Sequence, residues 1–302
     1  MRNLATIAAL LTVATTFLFT QESSDESLLR RIDQLHERDR HEEIIGVTEE
    51  ALQSAPSGRP RAELLVRLAR AELNATDLGR YAATITEEEA MEALDRVVSR
   101  TESAMREDPS LADSYFWKAA AMAQQGQIRG VLNSLFMAGE INDLALAAID
   151  RDPEISEVWF LLGQLYRELP GRPVSFGDNV YAVSFGRLSV ELHEARLERE
   201  ELPSKYYDYY IQLAESLRTR NWSAPRRRSR HPSIAEAHAA ADDDFTRGAT
   251  WEGAIELPRE SDRDEGRRIL EGIIDELERL PRRTLRQERS LELAREIAGE
   301  RW

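Results

Sequence analysis

Two histidines in the stretch HERDRH are the first side chains in this sequence whose type and spacing suggest chemistry. His36 and His41 lie five positions apart, whereas two histidines that share a metal ion on one helix lie four apart. Arginine and glutamate surround both residues, which is typical of a solvated helix end. Three consecutive aspartates at 242–244 point in different directions from a helix and would need further ligands to hold a cation. The sequence therefore predicts no metal site.

Three other stretches resemble reactive motifs without matching them. The stretch GRPVSFGDN (171–179) follows no strand and lacks the Lys-Ser/Thr pair of a phosphate loop, so we expect an inter-helix loop. The arginines of RRRSR (226–230) could attract an acidic partner, but a solvated loop is favoured in an acidic chain. Asp152 and Glu154 flank Pro153 and fit a helix start better than an acid–base pair. Since there is no nucleophile-elbow serine either, we predict that the protein is not an enzyme and has no cofactor.

Charge and composition narrow the range of partners. The 302 residues carry a formal net charge of −15 and include no cysteine, which excludes disulfides and cysteine-based zinc sites. Such an acidic surface repels nucleic acid. We therefore expect a protein, a peptide or a small molecule as partner, and not a nucleic acid. The composition leaves open whether the protein forms homo-oligomers.

The N-terminal stretch MRNLATIAALLTVATTFLFT has the layout of a secretory signal peptide. Arg2 precedes an uncharged, mostly apolar run that ends at Thr20, and acidic sequence follows at once. We expect cleavage near Gln21 and a periplasmic or secreted mature protein. The alternative is an uncleaved N-terminal membrane anchor, because the run is close to the lower length limit for spanning a bilayer.

The elements that must position all these residues are helices. Apolar residues recur at helical spacing along the chain, and the β-branched alternation of strands is missing. Prolines mark the breaks between helices: Pro56, Pro109, Pro153 and Pro203. Pro109 and Pro153 are each followed six residues later by an aromatic residue, Tyr115 and Trp159. We therefore predict an all-α protein built from helix pairs.

One helix, VWFLLGQLYRELP (158–170), carries a repeat signature. Trp159, Leu162, Gly163 and Tyr166 fall on one helical face, although glycine costs about 1 kcal/mol in a helix interior. This W-x2-L-G-x2-Y spacing resembles the tetratricopeptide repeat (TPR). In that family the glycine lets the second helix of the pair approach closely, which would explain Gly163.

The resemblance implies a right-handed TPR-like helical-hairpin solenoid with inserted loops and a C-terminal helical cap. Proline spacings longer than the usual repeat indicate insertions at 74–89, 126–139 and 169–179. The implied organisation is a signal peptide over 1–20, a repeat domain over 21–222, and a loop plus capping helices over 223–302. Within the last region, SAPRRRSRHPS (223–233) lacks periodicity and is expected to be a loop.

The stretch GVLNSLF, followed by LGQLYRELPG and FGDN, is similar to a bacterial repeat family over about residues 90–222. That family is the periplasmic T-component of TRAP transporters. The resemblance implies an accessory protein with a small apolar or amphipathic ligand, and a TRAP transporter solute-binding protein as partner. Members are often lipid-anchored, and this chain lacks the required cysteine.

In the repeat family, defined positions of each first helix face a concave groove. Carried over to this chain, the positions that we expect to bind a ligand or partner are Phe116, Ala120, Phe160, Gln164, Arg167, Ile211 and Arg218. Phe116, Phe160 and Ile211 would form an apolar line, while the two arginines would orient a carboxylate. Two functions remain open: a scaffold for a protein or peptide, and an accessory protein for a small ligand. Alternatively, the apolar line belongs to the core.

Overall fold

The computed structural model describes residues 27–202 and 204–300. The described chain is α-helical throughout, with one short 3-10 turn and no strand among these residues, which confirms the all-α prediction. Within the same ranges, none of the helices combines the length and apolar character needed to cross a membrane. The predicted leader at 1–20 and the break at Pro203 lie outside the described residues.

The helices follow one another with short connections. We number them α1 (27–36), α2 (His41–Leu52), α3 (Arg59–Tyr81), α4 (Glu87–Glu107), α5 (Ala112–Arg129), α6 (Val131–Ile149), α7 (Ser156–Glu168), α8 (Asn179–Glu198), α9 (Tyr207–Arg220), α10 (Ala224–Ala239), α11 (Asp244–Ala249), α12 (Asp262–Arg279) and α13 (Leu285–Gly299). The 3-10 turn spans Trp251–Gly253, between α11 and α12.

From α2 to α9, each helix packs against its neighbour in sequence, and the odd-numbered helices from α3 to α9 also touch one another. Helix α3 contacts α5, α5 contacts α7, and α7 contacts α9. The C-terminal helix α13 packs on α9 and reaches back to α3. Helices α3, α5, α7, α9 and α13 therefore form a closed inner ring.

Polar contacts between residues far apart in sequence close this ring. Arg289 on α13 forms an ion pair with Asp77 on α3, and Tyr81 donates a hydrogen bond to Glu292 at 2.5 Å. The backbone N–H of Arg286 donates to Asp39, just after α1, at 3.1 Å. The two ends of the described helical array are thus joined directly.

The proline–aromatic spacing seen in the sequence corresponds to a repeated hydrogen bond. The Tyr115 hydroxyl donates to the carbonyl oxygen of Pro109 at 3.1 Å, and the Trp159 indole N–H donates to that of Pro153 at 2.8 Å. Each bond ties the turn before an inner helix to the second turn of that helix. Trp159 is 1% exposed and packs against Phe185 of α8, so this turn is also fixed by the core.

Two of the expected insertions are helical instead of forming loops. Residues 126–139 contain the end of α5 and the start of α6, which are separated only by Gly130 at φ +91°. Residues 74–89 likewise contain the last turns of α3 and the start of α4. The third insertion, 169–179, is largely irregular, as expected.

The expectation of a loop at 223–233 is wrong, because these residues begin α10. Ser223 caps the helix by accepting a hydrogen bond from the backbone N–H of Arg226, and Pro225 stands in the first turn, where its missing N–H costs nothing. Arg227 is 2% exposed and not solvated.

Arg227 belongs to a buried cluster of three arginines and three carboxylates that fixes the C-terminal helices. Its members are Arg187, Arg220, Arg227, Glu252, Asp262 and Glu265, each no more than 8% exposed. Arg187 binds Glu265 through two hydrogen bonds of 2.8 and 2.7 Å. Burial alone would raise the pKa of Glu252, but Arg220 and Arg187 outweigh it and lower that pKa. The six charges cancel, which makes their burial tolerable.

Candidate functional site

The inner ring surrounds a cavity of about 1000 Å³. Its wall is built from α1 and from the ring helices α3, α5, α7, α9 and α13. The segments before α7 and α9 complete the wall. This volume lies at the upper end of the roughly 300–1000 Å³ typical of small-molecule pockets. The cavity is therefore the candidate binding site.

Five of the residues predicted from the sequence line this cavity: Phe116, Ala120, Phe160, Gln164 and Ile211. Phe116 and Ile211 are 6% and 1% exposed, whereas Phe160 is half-buried. Phe116 packs edge-on against Trp117 with ring centres 4.7 Å apart, and Phe160 packs against Tyr209 at 5.0 Å. These contacts make the apolar strip part of the cavity wall and of the core at once.

The two predicted arginines, by contrast, are outside the residues that line the cavity. Arg167 binds Glu215 at 2.5 Å, and Arg218 forms an ion pair with Glu300 on the C-terminal side of α13. Both guanidinium groups are thus engaged by carboxylates of the protein itself. A carboxylate ligand at either position would have to displace an existing ion pair.

The repeat-signature residues Trp159, Leu162, Gly163 and Tyr166 are all buried on α7. A Cβ atom added at Gly163 would lie 2.3 Å from Nε2 of Gln212, which is on α9. On the other side of the same amide, a Cβ atom added at Gly186 of α8 would lie 2.8 Å from its Oε1. The neighbour that requires Gly163 is therefore a side chain from the next inner helix, and not the backbone of α8.

The cavity wall contains an ion-pair cluster that the sequence analysis did not predict. Arg67 and Arg70 of α3 both donate to Asp33 of α1, at 3.0 and 2.5 Å. Burial alone would raise the pKa of Asp33, but Arg70 and Arg67 together lower it. Asp33 therefore stays ionised and holds the two arginines in place.

The neighbouring inner helix α5 carries a carboxylate without such a partner. Asp113 lies in the first turn of α5 and lines the cavity. Its side chain has no hydrogen bond or ion pair to any residue that the structure describes. Burial raises the pKa of Asp113, and the nearby carboxylate of Glu157 raises it further. The charges of Arg70 and Arg67 act in the opposite direction without reversing the shift.

The expectation of a solvated helix end at His36 and His41 is wrong. The two side chains are 6% and 5% exposed, with ring centres 5.6 Å apart. His36 also packs edge-on against Tyr206, whose other contacts include Arg286 from α13. Burial lowers the pKa of His41 to about 4. Because Tyr206 and Arg286 are distant in sequence, local composition could not reveal this cluster.

Metal binding finds no support at these histidines. Among the described residues, no group of three or more histidine, cysteine, aspartate or glutamate side chains is arranged to hold a metal ion. The acidic residues nearest the pair include Asp39, whose Oδ1 lies 3.9 Å from Nε2 of His41 and 3.1 Å from Arg286. Asp39 therefore helps to join the segment after α1 to α13.

The fold defines an all-α protein whose inner helices surround a central cavity. A scan against protein families matches residues 28–172 to "Regulator of microtubule dynamics protein 1-3". The match covers slightly less than half of the chain, so the chain is similar to this family over its first inner helices. No curated protein matches the sequence.

This match overturns the family resemblance inferred from the repeat signature. The matching model is that of the microtubule-dynamics regulators, and not of a TPR family or of the TRAP transporter T-component. The W-x2-L-G-x2-Y spacing reflects how α7 packs against α8 and α9, which other helical arrays can share. The solute-binding protein suggested as partner rested on that resemblance and loses its basis.

Proposed function

We propose that the protein is a non-enzymatic scaffold that binds a protein or peptide segment in its central cavity. The observation that carries the proposal is the closed ring of helices around about 1000 Å³ of space. A cavity of this size can admit a segment of a few residues. Such enclosure removes most of a bound segment's surface from water, which is the main source of affinity.

The apolar strip supplies the contacts that a peptide side chain would need. Phe116, Trp117, Phe160 and Ile211 lie along neighbouring inner helices and all line the cavity. Burying apolar surface against them would contribute about 25 cal/mol per Å². Charged side chains around the strip would select among partners more than they would add affinity.

A small amphipathic ligand is the second candidate, and closure of the ring favours it. Contacts of α13 with α3 and α1 make the space more enclosed than an open groove. A small molecule would enter such a space more easily than the middle of a long chain. An amphipathic molecule would suit a wall that combines aromatic and charged groups.

The proposal extends to fold and location. We infer that the helix pairs succeed one another in a right-handed sense and that the protein is exported after removal of its leader. The acidic net charge supports a protein or peptide partner over nucleic acid. The description of the matched family names a regulatory role for its members, which agrees with a binding function for this chain.

Filling the cavity tests the proposal. Gln164 lines the cavity and is only partly buried, so Gln164→Trp should occupy the space without disturbing the core. Gln53, an exposed residue at the end of α2, provides the matched control Gln53→Trp. Both variants and the wild type are screened against one library of immobilised eight-residue peptides.

We expect the wild type and Gln53→Trp to select the same peptides and Gln164→Trp to lose them, with unchanged far-UV circular dichroism. Equal peptide binding by all three proteins would refute the cavity as the site. Native mass spectrometry of the purified protein examines the second candidate. A retained small molecule that Gln164→Trp lacks would favour the small-ligand function over the scaffold.

A further inference from the structure

We propose that the segment bound in the cavity is basic, with a lysine or arginine side chain held by Asp113. This inference rests on the proposed function and specifies the chemistry of its partner. Three features of the cavity support it: the charges of the wall, the carboxylate of Asp113, which is unpaired among the described residues, and the aromatic side chains beside that carboxylate.

Acidic residues outnumber basic residues in the cavity wall, and the basic residues already pair with carboxylates of the protein. Twelve acidic and eight basic residues line the cavity. The basic residues form ion pairs with carboxylates of the protein, among them Arg67, Arg70, Arg196, Arg199, Lys205, Arg286 and Arg289. The cavity is therefore net acidic, and a bound cation would be favoured over a bound anion.

Among the described residues, three lining carboxylates form no ion pair and accept no hydrogen bond: Asp113, Glu154 and Glu200. Of these, Asp113 is the least exposed. Asp33 binds the arginines nearest to that wall, Arg67 and Arg70, while Glu157 binds Arg196. The pKa of Asp113 is raised by burial and by like charge, although the first turn of a helix normally favours a negative charge. A cation placed here would relieve that penalty and form a charge-assisted hydrogen bond.

The surroundings of Asp113 favour an amino-acid side chain over a small inorganic cation. Phe116 and Trp117 follow Asp113 at helical spacings of three and four residues, so they share its face of α5 and also line the cavity. Lysine and arginine carry apolar stems that pack against such rings while the charged end reaches a carboxylate. Arginine can also stack on an indole ring.

The test compares three seven-residue peptides that differ only in charge. A fluorescein-labelled, capped Leu-Lys-Ala-Leu-Lys-Ala-Leu peptide is titrated by fluorescence anisotropy beside versions with glutamine or glutamate in place of lysine. The full-length protein is used as the wild type, Asp113→Asn and Asp143→Asn. Asp143 is an exposed carboxylate on α6 that does not line the cavity, so it controls for the loss of one charge.

For the wild type and Asp143→Asn, we expect the lysine peptide to bind at least about tenfold more tightly than the glutamine peptide, with the glutamate peptide weakest. For Asp113→Asn, the preference for lysine over glutamine should fall to about twofold or less. Circular dichroism should be the same for all three proteins, because Asp113 has no partner to lose among the described residues.

Several outcomes would overturn the inference. Equal binding of the glutamine and lysine peptides would refute the basic partner while leaving the cavity scaffold intact. An unchanged lysine preference in Asp113→Asn would refute Asp113 as the anchor. If n-octylammonium displaced the lysine peptide at equal concentration, the occupant would be a small amine and not a peptide. Failure of all three peptides to bind would contradict the proposed function itself.

Discussion

Gly163 offers a quantitative test of how the inner helices pack. In Gly163→Ala, the new Cβ atom would lie 2.3 Å from Nε2 and 3.0 Å from Cδ of Gln212. Gln212 is 2% exposed, and its Nε2 donates to Ser216 at 3.1 Å. Its amide cannot retreat freely, because Gly186 lies against its other side.

The expected cost follows from three terms. Overpacking a core costs about 1–3 kcal/mol, and displacing the Gln212 amide would weaken a buried hydrogen bond worth about 1 kcal/mol. Replacing glycine by alanine in a helix interior stabilises the helix by up to about 1 kcal/mol, which offsets part of this cost. We therefore expect Gly163→Ala to lower the free energy of unfolding by about 1–3 kcal/mol, and Gly163→Leu to lower it further.

The assay is urea denaturation followed by circular dichroism at 222 nm, arranged as a double-mutant cycle with Gln212→Ala. In the Gln212→Ala background the clash disappears, so Gly163→Ala should become neutral or stabilising. Gly272→Ala on α12 is the control, because an added Cβ there meets no atom within 4 Å, and it should stabilise the protein slightly. A destabilisation by Gly163→Ala that is the same in both backgrounds would refute the role assigned to Gln212.

Two further predictions concern the buried charges and histidines. Arg227→Met should destabilise the protein by about 3–5 kcal/mol in urea denaturation, because it leaves the buried cluster with one more carboxylate than arginine, whereas Met at the exposed Arg228 should change little. Burial lowers the pKa of His193 to about 4, so between pH 6.5 and 4 the unfolded chain binds more protons and stability falls as the pH falls. Between pH 7 and pH 5, His193→Gln should therefore lose about 2 kcal/mol less stability than the wild type; equal losses would contradict a neutral buried His193.

The sequence predicted what depends on local spacing. Helical periodicity and the proline–aromatic pairs identified the helices, and the aromatic residues do bind the proline carbonyl oxygens. The helix at 224–239 was missed because its arginines suggest solvation when read alone. Arg227 becomes a core residue through partners distant in sequence, such as Glu265, which lies 38 positions away.

For the candidate site as well, the sequence predicted the residues whose position depends on a helix face and missed those that depend on distant partners. Apolar residues at repeat positions do line one cavity, because that pattern depends on helix faces. Arg167 and Arg218 lie outside the cavity lining and form ion pairs with Glu215 and Glu300. These partners are 48 and 82 residues away in sequence, so local spacing could not predict the pairs. No local sequence pattern pointed to Asp113, because the role proposed for it depends on its having no ion-pair partner among the described residues.

The contact between α13 and α3 changes how the whole molecule should fold. In a linear array each pair of helices touches only its neighbours, so one end can unravel while the other stays intact. Here residues more than 200 positions apart, such as Asp77 and Arg289, hold α3 and the last helix, α13, together. Forming that contact requires closing a very long loop, which slows folding. Once formed, it makes both termini of the array depend on each other, so fraying at either end also weakens the opposite end.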